Sequence, residues 1–397
     1  MSEFFKKNYS VIITVFLFLA LELPFLESSR PIMTDEAWYS NPAYNLVTTG
    51  TISNTSIGYG GSGLVIYSFY IALYIFIFGV SLFTSRLSSL VLGVIAIFLF
   101  RKMLKVLEIS EFNRLITLLF FVFANLYLSI FKLARPEALA VVFSLCLLLV
   151  TYYYIISNYS FKYLLLFILF SFLSINSHPN SSIIISVSFL VILFYLVKEK
   201  QYKKVFQLIP VVLGIFASMF FLVWAIAFCN SVNINSALGI MSDRNTINTS
   251  FISLLKEKIT SSIEYFVVSS RSITFIPQIF LLFTGLFYKN KNKLIFILSL
   301  SSFASLFVAL VFLSPSGFIY VYPYVFLFSV LILSLMLKQY AGSGLKYNII
   351  LIAVVSIVIF NIVAYVVLTK KTLDFGMKNN IKEIEQLIPE KSLVVSE

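Results

Sequence analysis

The chain has 397 residues, of which 60% are hydrophobic and 12% charged, with a formal net charge of +12 and a mean hydropathy of +0.98. A soluble domain of this length could not hide so much apolar surface from water. Apolar runs of about 20 residues recur along the chain, which excludes the alternating strands of a membrane β-barrel.

In chain order, the first apolar run covers 9–26. It follows Lys6 and Lys7 and has no small-residue cleavage site, so it reads as a retained helix rather than a removed signal. A first loop, 27–85, comes next and contains the apolar stretch 64–83. The later runs are 86–104, 114–131, 138–156, 161–177, 181–197, 205–229, 265–287, 294–313, 317–337 and 347–368. Between them, the linkers RKMLKVLEISEFNR, SNYSFK, KEKQYKK, YKNKNK and KQYAGSGLK carry basic residues. Basic charge in short loops is the signature of membrane orientation, not of nucleic-acid binding. Cys146 and Cys229 form no disulfide framework and no metal-ligand spacing, and no internal repeat is visible.

If the N-terminus and all five linkers face the cytoplasm, one run between Lys7 and Arg101 must fail to span. The stretch 64–83 follows the glycine-rich GYGGSG and is dense in interfacial Tyr and Phe, so it is expected to be a juxtamembrane or re-entrant helix on the outer side. GYGGSG does not follow a strand, so it carries little weight as a phosphate loop. The expected architecture is an all-α polytopic membrane protein with about eleven transmembrane helices plus that outer helix. One transmembrane domain covers 1–368. The tail, 369–397, is expected on the outer face. The richness in Phe, Ile, Asn and Lys suggests an AT-rich bacterial genome, and a bacterial inner membrane is the expected location.

This topology gathers distant residues at the outer face. Asp35 and Glu36 lie in the first loop, in RPIMTDEAWYSNPAYNL; they read as a solvated loop pair, as an N-cap for a helix beginning at Ala37, or as a base or metal ligand among aromatics. In KLARPEALAVVF, Pro136 and Glu137 suit a helix first turn. Lys132 and Arg135 run against the positive-inside trend and suit a phosphate. His178, the only histidine, sits in a short outer turn; it reads as a structural hydrogen-bonder, or as a contact for substrate, phosphate or metal. A divalent ion fits one histidine with carboxylates, but the spacing specifies none. Arg86, Arg244 and the tyrosines Tyr320 and Tyr322 of SPSGFIYVYPY complete the set. Ionisable groups at the membrane are costly, which favours function over decoration.

Four stretches together resemble the GT-C class of polyprenyl-phosphate-dependent glycosyltransferases, within it the protein O-mannosyltransferase and aminoarabinose-transferase relatives. TDEAWY is similar to that family's acidic first-loop motif. FIFGVSLFTSRLSSLVLG is similar to its passage with Gly79, Arg86, Ser88 and Gly93. ARPEAL occupies the place of the second acidic motif, and SPSGFIYVYPY that of a late tyrosine-bearing segment. Where many relatives have a lysine-glycine pair, this chain has His178-Pro179, and where many end in a folded outer domain, the resemblance makes the short tail 369–397 a remnant of one.

The resemblance implies an inverting glycosyltransferase at the outer membrane face, taking a sugar from a polyprenyl-phosphate donor to the hydroxyl of a glycan, lipid or protein. It makes Asp35 the catalytic base, Glu36 and Glu137 the accompanying acids, and Arg135 the donor-phosphate residue. Lys132, Arg244, Tyr320 and Arg86 would help there. A flippase for lipid-linked glycans is the alternative, but it would carry mid-membrane charges and two related halves. An O-antigen-type polymerase would place its chemistry in a large late loop such as 230–264, with Arg244 and Lys256.

Overall fold

The computed structural model describes residues 3–27, 34–52, 64–229, 234–235, 256, 259–260, 272–288, 292–312 and 322–374. All regular structure among them is helical. In chain order the helices are α1 (Glu3–Glu22), α2 (Thr34–Thr49), α3 (Val65–Phe78), α4 (Leu82–Val106), α5 (Glu111–Val122), α6 (Asn125–Lys132), α7 (Pro136–Ile156) and α8 (Phe161–Ser177). They continue with α9 (Ser182–Lys198), α10 (Tyr202–Val205), α11 (Ile209–Cys229), α12 (Ser272–Gly285), α13 (Lys293–Phe312), α14 (Tyr322–Tyr340) and α15 (Leu345–Asp374).

Among the described residues seven helical stretches are long and apolar enough to cross a bilayer: Glu3–Phe25, Leu82–Val106, Pro136–Ile156, Pro179–Lys198, Tyr202–Cys229, Pro323–Tyr340 and Leu345–Val367. The chain is an integral multi-pass membrane protein. Those stretches are seven of the eleven expected; the shorter apolar helices are α3, α8, Ile276–Leu286 along α12 and Lys293–Phe307 in α13, and the run expected over 114–131 is the broken pair α5–α6. That pair is one 22-residue segment, 111–132, interrupted where Ala124 turns extended (φ −63°, ψ 129°).

The basic linkers gather at one end of this bundle. Arg101 donates to Lys7 O (2.7 Å) and Asn8 Oδ1 (2.8 Å), and Ser10 Oγ to Glu111 Oε1 (2.6 Å). Lys338 Nζ donates to Leu107 O (2.9 Å), Tyr347 Oη to Asn113 Oδ1 (2.6 Å) and Tyr152 Oη to Val106 O (3.3 Å). Lys204 Nζ reaches Asn158 O (2.7 Å), and Tyr159 Oη donates to Glu199 (2.6 Å). Helices α4, α7 and α9 all stop here in left-handed turns at Glu108, Asn158 and Lys200, each at φ 56°. The long bonds Ile109 N→Leu104 O, Tyr159 N→Tyr154 O and Gln201 N→Leu196 O close their last carbonyls in Schellman fashion.

At the opposite end, Arg86 Nη1 donates to Leu26 O (2.8 Å). The chain therefore leaves the bundle after α1 and re-enters at α4 on the same end, so 27–81 makes no net crossing. α3, with 14 residues, is about 21 Å long, short of the roughly 30 Å hydrocarbon layer. It lies against α2 and α4, where Tyr70 Oη donates to Ser88 O (2.8 Å). The non-spanning reading of 64–83 therefore agrees with the geometry. The last helix, α15, is fastened at Tyr347 near one end and at Tyr365 near the other, while Ile352, Ile359, Phe360 and Val363 between them are exposed.

Two outcomes follow. A Cβ at Gly93 would lie 2.6 Å from Phe18 Cζ and 3.0 Å from Phe131 Cβ, where α4 crosses α1 and α6. Gly93→Val is expected to cost about 1–3 kcal/mol, read as a lower unfolding temperature of the purified protein. In a protein lacking Cys146 and Cys229, Lys200→Cys and Ser343→Cys should label from one side of sealed vesicles and Thr49→Cys from the other. Labelling of all three from one side would overturn the topology.

Candidate active site

Among the described residues, the end of the bundle opposite the basic linkers holds three buried carboxylates, each brought there by a different helix. The first is Glu36, in the first turn of α2. Arg86, in the second turn of α4, grips it in a fork, Nε to Oε1 at 2.9 Å and Nη2 to Oε2 at 2.8 Å. The Ala134 amide donates to the same Oε1 (3.0 Å), and the remaining guanidinium nitrogen faces Leu26 O and Glu27 O. Arg86 is 0% and Glu36 2% exposed, so this is an ion pair out of water, satisfied by carbonyl and amide partners. Arg86 is delivered because Ser81 caps α4, accepting from the Thr84 amide (3.0 Å).

The second carboxylate is Glu22, at the end of α1. Lys132 Nζ lies 3.2 Å from Glu22 Oε2, and Tyr365 of α15 donates to that oxygen at 2.9 Å while bonding Lys132 as well. The third is Glu137, in the first turn of α7, where Pro136 at N1 needs no amide partner and an acid suits the positive helix end. Arg135 donates to it through Nη2 (2.8 Å) and Nε (3.3 Å). His178 Nε2, at the end of α8, stands 4.0 Å from Glu137 Oε1.

Aromatic side chains wall the region. Trp38 stacks on Tyr39 (5.8 Å), and Tyr39 meets Tyr67 of α3 edge-on (6.3 Å). Tyr127 of α6 donates to Pro323 O (2.9 Å), which draws the start of α14 in, and Tyr324 then lies 6.2 Å from the His178 ring. The Tyr67 and Tyr324 rings are fully buried.

Of the residues singled out from sequence, Glu36, Arg86, Lys132, Arg135, Glu137 and His178 meet at this end. Lys132 and Arg86 are engaged by Glu22 and Glu36 rather than by Glu137. Asp35 lies in the first turn of α2, beside the anchored Glu36, and its side chain is outside the described residues, as are Arg244 and Tyr320. Among the described residues no three His, Cys, Asp or Glu side chains come together as metal ligands do. Glu22 and Tyr365 were not singled out. A lone acid inside the first apolar run marks Glu22, whereas nothing in the sequence distinguishes Tyr365 from the other tyrosines.

Removing one partner of a buried pair strands the other charge. Arg86→Leu is expected to destabilise by about 3–5 kcal/mol, and the double variant Arg86→Leu/Glu36→Leu to recover part of that. Thermal unfolding of the purified variants checks both.

The chain resembles two crystal structures of ArnT from Cupriavidus metallidurans, one in the apo state and one bound to undecaprenyl phosphate. Each has a TM-score of 0.53 at 13% identity, over 91% and 92% of this chain and 76% and 74% of ArnT. No family model matches the chain, and no curated protein matches it in sequence. At this identity the likeness is one of fold, and the fold of the chain is the GT-C fold of ArnT.

Proposed function

We propose that this chain is a GT-C glycosyltransferase that moves a sugar from a polyprenyl-phosphate donor to an acceptor hydroxyl at the outer face of the bacterial inner membrane. The observation that carries the reading is the convergence of Arg135, Glu137, His178 and the anchored start of α2 at one end of a bundle with the ArnT fold. The complex of ArnT with undecaprenyl phosphate supports a lipid phosphate as the donor's carrier.

In this reading the acceptor hydroxyl attacks the anomeric carbon while Asp35 takes its proton. The bond from that carbon to the phosphate oxygen breaks, polyprenyl phosphate leaves, and the anomeric centre inverts. A free alcohol is a poor acid, so a placed carboxylate contributes roughly 100- to 10,000-fold. The leaving phosphate is a weak base that needs charge stabilisation more than a proton, which a guanidinium supplies. Arg135 is given that role, with Arg244 and Tyr320 as helpers. Glu36 serves by fixing the first turn of α2, and so the backbone of Asp35, through its fork with Arg86. Lys132, already held by Glu22 and Tyr365, serves the frame.

The test is release of free polyprenyl phosphate from a panel of polyprenyl-phosphate sugars, with cell-envelope extract as acceptor source. Wild type should release it, and Asp35→Asn should lose at least about 100-fold in kcat. Equal release by both proteins would remove Asp35 from the chemistry. No release from any donor would turn the reading towards a flippase or polymerase.

A further inference from the structure

His178 is the chain's single histidine, 7% exposed, at the junction of α8 and the 3-10 turn Pro179–Ser181. Its backbone is extended (φ −158°, ψ 122°), and its N–H still bonds back to Ser174 O (3.0 Å). Its ring nitrogens meet different partners. Nδ1 accepts from the Asn180 amide at 3.3 Å, an N-cap on the 3-10 turn. A nitrogen that accepts from a backbone N–H has no proton of its own, so the proton of the neutral ring is on Nε2. Nε2 faces Glu137 Oε1 at 4.0 Å, and that oxygen is the one Arg135 Nη2 holds at 2.8 Å.

We infer that His178 is locked as the neutral Nε2–H tautomer by its turn and is the positioning residue of Glu137, sharing one carboxylate oxygen with Arg135. The groups facing the ring among the described residues are Glu137 and Arg135 of the α7 start and Tyr324 of α14. Charging the ring would put a proton on Nδ1, where the Asn180 amide already donates. At 4.0 Å the contact from Nε2 to Glu137 is longer than a hydrogen bond. Such contacts tighten when substrate closes the site, and the Nε2–H then keeps Glu137 from following Arg135 as the guanidinium turns to an incoming phosphate. This positioning role rests on the proposed function; the tautomer does not.

Because the chain has one histidine, ¹⁵N-histidine labelling of the whole protein in lipid bilayers gives one pair of ring signals. One pyrrole-type Nε2 and one pyridine-type Nδ1 are expected at neutral pH. Glu137→Gln should move the Nε2 signal and leave Nδ1 in place. An Nδ1-protonated ring, a tautomer mixture, or an Nε2 signal indifferent to Glu137→Gln would overturn the inference. Two near-isosteres separate the jobs of the two nitrogens. His178→Asn keeps an oxygen for the Asn180 amide, so it should unfold at the wild-type temperature yet lose roughly tenfold in kcat with KM little changed, the scale of one hydrogen bond to a charged group. His178→Gln restores a donor near Nε2 and loses the cap, so it should keep more activity than His178→Asn at a lower unfolding temperature. The reverse order of the two variants would overturn the positioning role. If wild type releases no polyprenyl phosphate, the proposed function fails while the nitrogen spectrum still decides the tautomer.

Discussion

Six residues, Lys132–Glu137, neutralise three carboxylates that arrive from three helices. Lys132 answers Glu22 of α1, the Ala134 amide helps Arg86 answer Glu36 of α2, and Arg135 answers Glu137 of α7. This is possible only because the helix breaks there. In an unbroken helix the Ala134 amide would be spent on the carbonyl four residues back. With Leu133 at ψ 147° and Arg135 at ψ 142° the backbone is extended, and the amide is released to the carboxylate. Pro136 then restarts the helix without needing an amide of its own.

Buried charge pairs are poor sources of net stability, since desolvation offsets much of their attraction. Their use here is positional. The fork between Arg86 and Glu36 offers one good geometry, and it holds the start of α2 against α4. A first loop without such a clamp would leave its acids free to drift over the membrane surface. The aromatic contacts of Tyr39 and Tyr67 hold the next turn of α2 to α3, so the loop carries its own packed wall.

Much of the fold was legible because span length and loop charge are strong constraints. The arithmetic of basic linkers singled out 64–83 as the run that does not cross, and Arg86 bonded to Leu26 gives the same parity in space. The gathering of Glu36, Arg86, Arg135, Glu137 and His178 at one end followed from that parity. Their pairing did not. Lys132 and Arg135 look like one cationic patch in sequence, but the extended residues between them send the two side chains to different carboxylates. The break at Ala124 has no proline or glycine to announce it, and Tyr365 is one tyrosine among 23. Such contacts between distant segments are set by packing, which leaves no local mark.

The fastening of α15 bears on how the protein reads its surroundings. Its two polar ties, Tyr347 to Asn113 and Tyr365 to Glu22, are 18 residues apart, a fixed rod of about 27 Å. That is close to the thickness of a bilayer's hydrocarbon layer. A helix pinned at both ends cannot tilt alone to absorb a thicker or thinner membrane, so hydrophobic mismatch is transmitted to the ties. The tie at Tyr365 shares Glu22 with Lys132, two residues before the Ala134 amide that meets Glu36. The acyl-chain length of the host membrane thus becomes a mechanical input to the charged end of the bundle.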